Sequence, residues 1–282
     1  MQVINDKEEM RELLRDWRRQ DEHIALVPTM GNLHAGHASL IELAREHAER
    51  VVVSVYVNPT QFSEEEDFTE YPRTPERDTM RLKKIGADIL FIPDDETVYP
   101  FGHDCATVVS VPGLTENFCG ASRPGHFDGV TTVVARLFAL VRPDVAIFGQ
   151  KDYQQQLVIR YMAEDLGLPI RIITAPTVRE EDGLAMSSRN QYLTDDERAV
   201  APLLHQVIDE IGAKLVNGDH NYKQLEKNGF KELKGAGFKI DYLAIRRAEN
   251  LEVPNRESDD LVVIAAAHLG AARLIDNVVV TV

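Results

Sequence analysis

Ile24-Ala25-Leu26-Val27-Pro28-Thr29-Met30-Gly31-Asn32-Leu33-His34-Ala35-Gly36-His37 passes from an apolar run through a glycine-bearing turn into a pair of histidines. Residues 24–27 read as a short strand that Pro28 ends. Beyond the turn, Leu40, Ile41, Ala44 and Ala48 fall on one face at helical spacing. The next run, Val51-Val52-Val53-Ser54-Val55-Tyr56-Val57, is β-branched and apolar nearly throughout. A strand buried on both faces has this composition, which favours a parallel sheet covered by helices. Asn58-Pro59 stops it. The alternation then repeats: a helix over 75–85 closed by Gly86, a strand over 89–92, a helix over 130–141 broken by Pro143, a strand over 145–148, a helix over 154–166 and a strand over 170–173. Strand–helix alternation predicts a doubly wound, Rossmann-like α/β domain. Ligands bind such sheets beyond the carboxyl ends of the strands. The two most unusual loops follow Val27 and Phe148, both at predicted strand ends.

The texture changes near residue 180. Thr194-Asp195-Asp196-Glu197 is a capping box that opens a helix. Further helices run to about Lys234, and short strands are predicted over 240–245, 261–267 and 278–282. Strands after a run of helices suggest a separate, smaller α+β unit. The boundary is expected between Pro176 and Asp182, giving domains 1–178 and 179–282.

Composition narrows the function. The chain has 282 residues, 44% hydrophobic and 27% charged, ordinary globular usage that excludes disorder and low-complexity architecture. No apolar window is long enough for a transmembrane helix, and the first nine residues are too acidic and polar for a secretory signal. Two cysteines, Cys105 and Cys119, make no disulfide framework and match no zinc spacing, so a reducing, cytoplasmic setting is expected. A net charge of −15 disfavours nucleic-acid and membrane partners. Any anion must be held by a few placed Lys, Arg or His groups and by backbone N–H donors.

His34 and His37 stand three apart at the predicted helix start and share a face. A helix N-terminus offers N–H groups and partial positive charge to a phosphate, and imidazoles there can donate to phosphoryl oxygens as charge builds. Two histidines alone would read first as a solvated helix end, with a metal pair as a second alternative; the strand and glycine turn before them favour phosphate. In the segment 148–155, Lys151 is a point charge for phosphate and Asp152 an acceptor for a ribose hydroxyl, though the segment also reads as an ordinary polar helix start. Met186-Ser187-Ser188-Arg189-Asn190 sets two hydroxyls beside a guanidinium, an anion clamp able to close over a nucleotide, or else a Ser/Asn-rich linker. Gln61, in Asn58-Pro59-Thr60-Gln61-Phe62, offers a neutral donor and acceptor to a small polar substrate. Arg123 and His126, in the Gly/Pro loop 120–127, could meet an anion; either loop is also a simple turn. Glu64-Glu65-Glu66-Asp67 reads as a solvated charge run. Neither cysteine has an evident base, so a catalytic thiol is not expected. His23, His47, His205 and His220 read as surface residues, and Trp17, Leu13 and Leu14 as packing.

Together these segments resemble pantoate–β-alanine ligases over nearly the whole chain. Residues 28–31 with the histidine pair are similar to that family's variant of the HxGH adenylyl-transfer signature, which alone marks only a broad nucleotidyltransferase superfamily. Residues 57–62, 71–74, 122–127, 149–155 and 186–190 match in order and make the resemblance specific. It implies a Rossmann-like domain with a small C-terminal lid, and a homodimer through the N-terminal domain. It also implies a reaction in which ATP, with Mg²⁺, adenylates pantoate, and β-alanine then attacks the pantoyl adenylate to give pantothenate, AMP and pyrophosphate. Nucleotide contacts are implied at Met30, Gly31, Asn32, Leu33, His34, Ala35, Gly36, His37, Gly149, Gln150, Lys151, Asp152, Val178, Met186, Ser187, Ser188 and Arg189. His37 takes the proton-donor position, with His34, Lys151 and Arg189 sharing the catalytic task. Gln61 and Gln155 map to pantoate-holding glutamines; no metal ligand is assigned. Gln150 stands where many members carry Glu, with little effect expected, and Cys119 where some carry Glu. Another adenylyltransferase would not need the two glutamines, a tRNA-charging enzyme would need a basic surface, and a metal hydrolase would need a third ligand. A catalytically dead nucleotide sensor would not need to keep both histidines, Lys151 and Arg189.

Overall fold

The structure, a computed structural model, describes residues 1–62, 68–69, 71–255 and 258–282. The charge run at 64–67 lies outside the described residues. The chain divides into two compact units: Met1–Glu116, Arg123–Gly149 and Val158–Ala175 make the first, and Asn117–Ser122, Gln150–Leu157 and Pro176–Val282 the second.

The first unit holds six strands, β1 (Gln2–Ile4), β2 (Ile24–Thr29), β3 (Arg50–Val55), β4 (Ile89–Phe91), β5 (Val145–Gly149) and β6 (Arg171–Ala175), in the order β1-β4-β3-β2-β5-β6. Every pairing is parallel. Up to β6 the helices are α1 (Lys7–Arg19), α2 (Ala35–His47), α3 (Pro75–Ile85), α4 (Asp95–Val98), α5 (Cys119–Ser122), α6 (His126–Val141) and α7 (Tyr153–Asp165), of which α5 and the first five residues of α7 are counted with the second unit. Successive side chains of a strand point to opposite faces, and both faces here are apolar. Ile24, Leu26, Val52, Ile89, Ala146 and Phe148 join Met10 and Leu14 of α1 and Val133 and Leu137 of α6 in one core. Ala25, Val27, Val51, Val53, Leu90 and Ile147 join Ile41 of α2 and Leu82 of α3 in the other. This double burial is why β2 and β3 read as unbroken apolar runs, and it bears out the expected doubly wound sheet.

The sheet also shows where the sequence reading falls short. β1 and α1 were not predicted beyond the packing of Leu13, Leu14 and Trp17. Three residues are too few to display a period, so β1 leaves no signal. α1 is capped by Asp6, which accepts from the N–H groups of Glu8 and Glu9 at 2.9 Å each. Its Arg18 donates to the carbonyls of Val141 and Arg142 at 2.7 and 2.8 Å, tying α1 to the carboxyl end of α6. α6 starts at His126, four residues ahead of expectation, because its cap position is Gly125 at φ 78°, with no side-chain cap to announce it.

The second unit adds α8 (Asp195–Val200), α9 (Leu203–Val216) and α10 (Tyr222–Gly235), then β7 (Lys239–Arg247), β8 (Asp260–Leu269) and β9 (Ala272–Thr281). The three strands form an antiparallel sheet in chain order. Leu261, Val263, Ala265 and Ala267 of β8 pack with Leu204, Val207, Ile208 and Ile211 of α9 and Leu225 and Leu233 of α10. The capping box before α8 forms as expected, Thr194 and Glu197 bonding reciprocally. β9 begins at Ala272 rather than near Val278, since Arg273, Asp276 and Asn277 interrupt its apolar pattern. No helix among the described residues is long and apolar enough to cross a membrane.

One glycine sets the separation between α6 and the loop after β3. A Cβ on Gly129 would lie 2.3 Å from the carbonyl oxygen of Thr60 and 2.7 Å from Cα of Gln61, both rigid backbone atoms. Gly129→Ala is expected to destabilise the protein by about 1–3 kcal/mol, the usual range for overpacking, as measured by urea unfolding.

Candidate active site

Strand order reverses between β2 and β5: the chain runs from β2 outward through β3 to β4, then returns to place β5 on the opposite side of β2. This is the topological switch point at which open α/β sheets bind ligands. The turn after β2 is built by two consecutive left-handed residues, Gly31 at φ 84° and Asn32 at φ 49°. A Cβ on Gly31 would lie 3.1 Å from Val55 and 3.2 Å from the Asp78 carboxylate, so the backbone is held close to both. Asp78 of α3 is 2% exposed and accepts from the N–H groups of Asn32 and Leu33 at 2.9 and 2.8 Å. Arg81, one turn on, donates to the Leu33 carbonyl.

The histidines take the places expected of them. His34 is the N-cap of α2 and His37 its third residue, and the two form a capping box. Nδ1 of His34 accepts from the Gly36 N–H at 3.1 Å, and Nδ1 of His37 from the His34 N–H at 3.2 Å. A neutral imidazole has one donor and one acceptor nitrogen. With both Nδ1 atoms accepting, the donor nitrogen of each ring is Nε2. The ring centroids are 4.1 Å apart. The result is two N–H donors on adjacent imidazoles at the first turn of a helix, an arrangement suited to phosphoryl oxygens.

Gln61 follows β3 on a short 3₁₀ turn, Pro59–Gln61, and is buried. Its Oε1 accepts from Asn58 Nδ2 at 3.2 Å, and its Nε2 lies 3.1 Å from Met30 Sδ. The structure therefore joins Gln61 to the first loop. Asn58 is itself fixed, donating to the Gly129 carbonyl at 3.1 Å and accepting from the Tyr99 hydroxyl at 2.8 Å. Burial pushes the Tyr99 phenol up, keeping it a donor. Arg123 and His126 are turned inward. The Arg123 guanidinium is 2.9 Å from His126 Nε2, and His126 Nδ1 is 2.8 Å from the Gln61 main-chain carbonyl oxygen, which buttresses the same turn. Gly149 closes β5, and a Cβ there would be 3.9 Å from Leu40 of α2.

The remaining predicted residues lie in the second unit. Gln150, Lys151, Asp152 and Gln155 are partly buried around the start of α7. Val178 accepts from the Met186 N–H at 3.0 Å, and Arg179 pairs with Ala185, so 178–186 is a tight hairpin rather than a loose linker. Ser187 caps the 3₁₀ helix Ser188–Tyr192, its Oγ accepting from the Arg189 N–H at 3.2 Å. Cys119 also has company: its Sγ is 3.1 Å from the Tyr242 hydroxyl and 3.6 and 3.7 Å from the Arg273 guanidinium. Burial raises the Tyr242 phenol well above its ordinary range. His205, read as a surface residue, is instead half-buried, its Nδ1 3.6 Å from the buried Asp276; burial lowers its pKa. The sequence reading missed Asp78, Asn58 and Asp276. For Asp78 there was one signal, its place one helical turn from Leu82 on the buried stripe of α3. Among the described residues, no three His, Cys, Asp or Glu side chains gather as a metal site.

A model of the Pantoate-beta-alanine ligase family matches residues 2–279. The chain belongs to the pantoate–β-alanine ligase family. Pantothenate synthetase of Methylococcus capsulatus is 49% identical over 281 residues, covering 100% of this chain and 98% of that protein. Among solved structures, pantothenate synthetase from Thermus thermophilus is 45% identical with a TM-score of 0.91, covering 99% of each chain. A pantoate-β-alanine ligase from Francisella tularensis, complexed with β-γ ATP and β-alanine, is 31% identical with a TM-score of 0.80, covering 99% of this chain and 97% of that one. The chain is accordingly an enzyme of the ligase class, and the resemblance read from its motifs holds.

Within this ligase scaffold, Asp78 carries a specific cost. Asp78→Ala leaves the Asn32 and Leu33 N–H groups without their acceptor. A loss of about 2 kcal/mol or more is expected at 1–3 kcal/mol per unsatisfied buried group, read as a lower urea midpoint.

Proposed function

We propose that the protein condenses pantoate with β-alanine to pantothenate at the expense of ATP, through a pantoyl-adenylate intermediate, releasing AMP and pyrophosphate. The observation that carries this reading is the pair of Nε2–H donors at the start of α2, at the sheet's switch point, with the Gln61 side chain beside the same loop. Family membership and the Francisella relative, described with an ATP compound and β-alanine, support it.

In the first step a pantoate carboxylate oxygen bonds to the α-phosphorus and the bond to the bridging oxygen of pyrophosphate breaks. Such a transfer needs alignment and charge stabilisation rather than an enzyme nucleophile. Residues 30–37 and Gly149 hold the nucleotide, together with Gln150, Lys151, Asp152, Val178 and 186–189. His34, His37, Lys151 and Arg189 meet the charge that builds on the phosphoryl oxygens, with His37 as the proton donor of the HxGH motif. Gln61 and Gln155 hold pantoate. Asn58 occupies the side-chain carbonyl of Gln61, so Gln61 presents its NH₂ end as a donor to a carboxylate or hydroxyl. In the second step the β-alanine amine attacks the acyl carbon, the bond to AMP breaks and the amine loses a proton. Mg²⁺ would supply a counter-charge to the triphosphate; among the described residues no three His, Cys, Asp or Glu side chains gather to hold it. The same proposal divides the chain at 178/179, with the C-terminal part as a lid that shields the mixed anhydride from water. It also places the enzyme in the cytoplasm as a homodimer through its N-terminal domain.

Pyrophosphate release that depends on pantoate, followed by mass detection of pantothenate on adding β-alanine, tests the whole reading; release without pantoate, or no amide product, overturns it. His37→Ala is expected to slow pantoate-dependent pyrophosphate release by about 10² or more with an unchanged circular dichroism spectrum. Gln61→Ala is expected to raise KM for pantoate more than KM for ATP in steady-state kinetics, and equal rises would remove Gln61 from the pantoate site.

A further inference from the structure

Asn277 is 2% exposed in the interior of β9, opposite Ile264 of β8. Asparagine is a poor strand former, and a buried amide must find partners for two N–H donors and a carbonyl. All of its side-chain bonds go to one place. Nδ2 donates to the Gln150 carbonyl at 2.8 Å and to the Lys151 carbonyl at 3.1 Å, and Oδ1 accepts from Gln150 Nε2 at 3.3 Å. The two peptide groups that flank Lys151 Cα on the path from β5 to α7 are thereby pinned by a single side chain. The neighbouring residue anchors a second segment. Asp276 accepts two bonds from Arg179, at 2.6 and 3.0 Å, and Arg179 also donates to the Gly183 carbonyl at 3.1 Å within the 178–186 hairpin. Asp276 Oδ1 further accepts from the Asn277 N–H at 2.8 Å, which links the two anchors.

We infer that Asn277 is a positioning residue for adenylation: it sets the main-chain direction at Lys151, while Asp276 sets the hairpin that leads to Met186–Arg189. The inference rests on the proposed role of Lys151. A lysine is a point charge on a four-carbon stem, so the direction in which its Cα–Cβ bond leaves the backbone governs where the ammonium can reach. A misplacement of about 1 Å at a reacting group can cost about a hundredfold in rate.

The test is a double-mutant cycle on pantoate-dependent pyrophosphate release in single-turnover mode. It uses Asn277→Ala, Asn277→Leu, Lys151→Ala and the two double variants, with thermal melting of each. Asn277→Leu keeps the branch at Cγ, removes both polar atoms and adds no charge, so it serves if the alanine variant does not fold. Each Asn277 variant is expected to slow release by about tenfold or more, with KM for β-alanine changed less than about twofold. In the Lys151→Ala background neither is expected to slow release further. A purely structural loss would instead multiply with that of Lys151→Ala, and such multiplication, or normal release by both single variants, overturns the inference. Normal release by Lys151→Ala alone would mark a failure of the functional reading instead.

Discussion

A strand packed with apolar side chains on both faces has no face left for chemistry. β2 is in this position: Ile24 and Leu26 are sealed into one core, Ala25 and Val27 into the other. Polar function is displaced to the strand's carboxyl end, where backbone groups lose their ladder partners and must find new ones. The chain answers with two left-handed residues, a buried carboxylate that takes two N–H groups, and a helix that starts at once on a histidine cap. Each feature follows from the one before. Without Asp78 the turn would bury donors with no acceptor, and without the turn α2 would not begin at His34.

The same economy fixes the histidine tautomers. A cap residue is chosen for an oxygen or nitrogen that can accept a main-chain N–H, and imidazole does this only through an unprotonated nitrogen. Using Nδ1 for the cap leaves the proton on Nε2, so helix stability and donor chemistry are settled by one arrangement. A Ser or Asp in the same positions would cap the helix as well, yet would not leave a ring N–H to donate.

The long elements were legible because burial on two faces writes itself into composition, as at Val51–Val55, and because a cap followed by a helical stripe is a local pattern, as at His34 and at Thr194. What escaped was either too short to show a period or non-local. β1 is three residues long. Asp78 sits among charged neighbours on α3, and its partners lie 45 and 46 residues away. Asp276 and Asn277 look like a break in a strand until the Arg179 and Gln150 groups they serve are in place. For the candidate site, the sequence offered candidate polar residues but not the side chains that hold their loops, such as Asp78 and Asn58, since these are selected by geometry rather than by a local pattern.

The bond from Asn277 to the Lys151 carbonyl spans 126 residues of chain. Ribosomes add about 5–20 residues per second, so for roughly 6–25 s after Lys151 has been polymerised its carbonyl has no Asn277 to meet. During that interval the nascent protein can complete the strands of its first sheet, yet the turn that bears the lysine is left to wander. The fixing of that turn is thus deferred until β9 has been made, and a chain abandoned by the ribosome before β9 would lack the bonds that hold the Gln150 and Lys151 carbonyls.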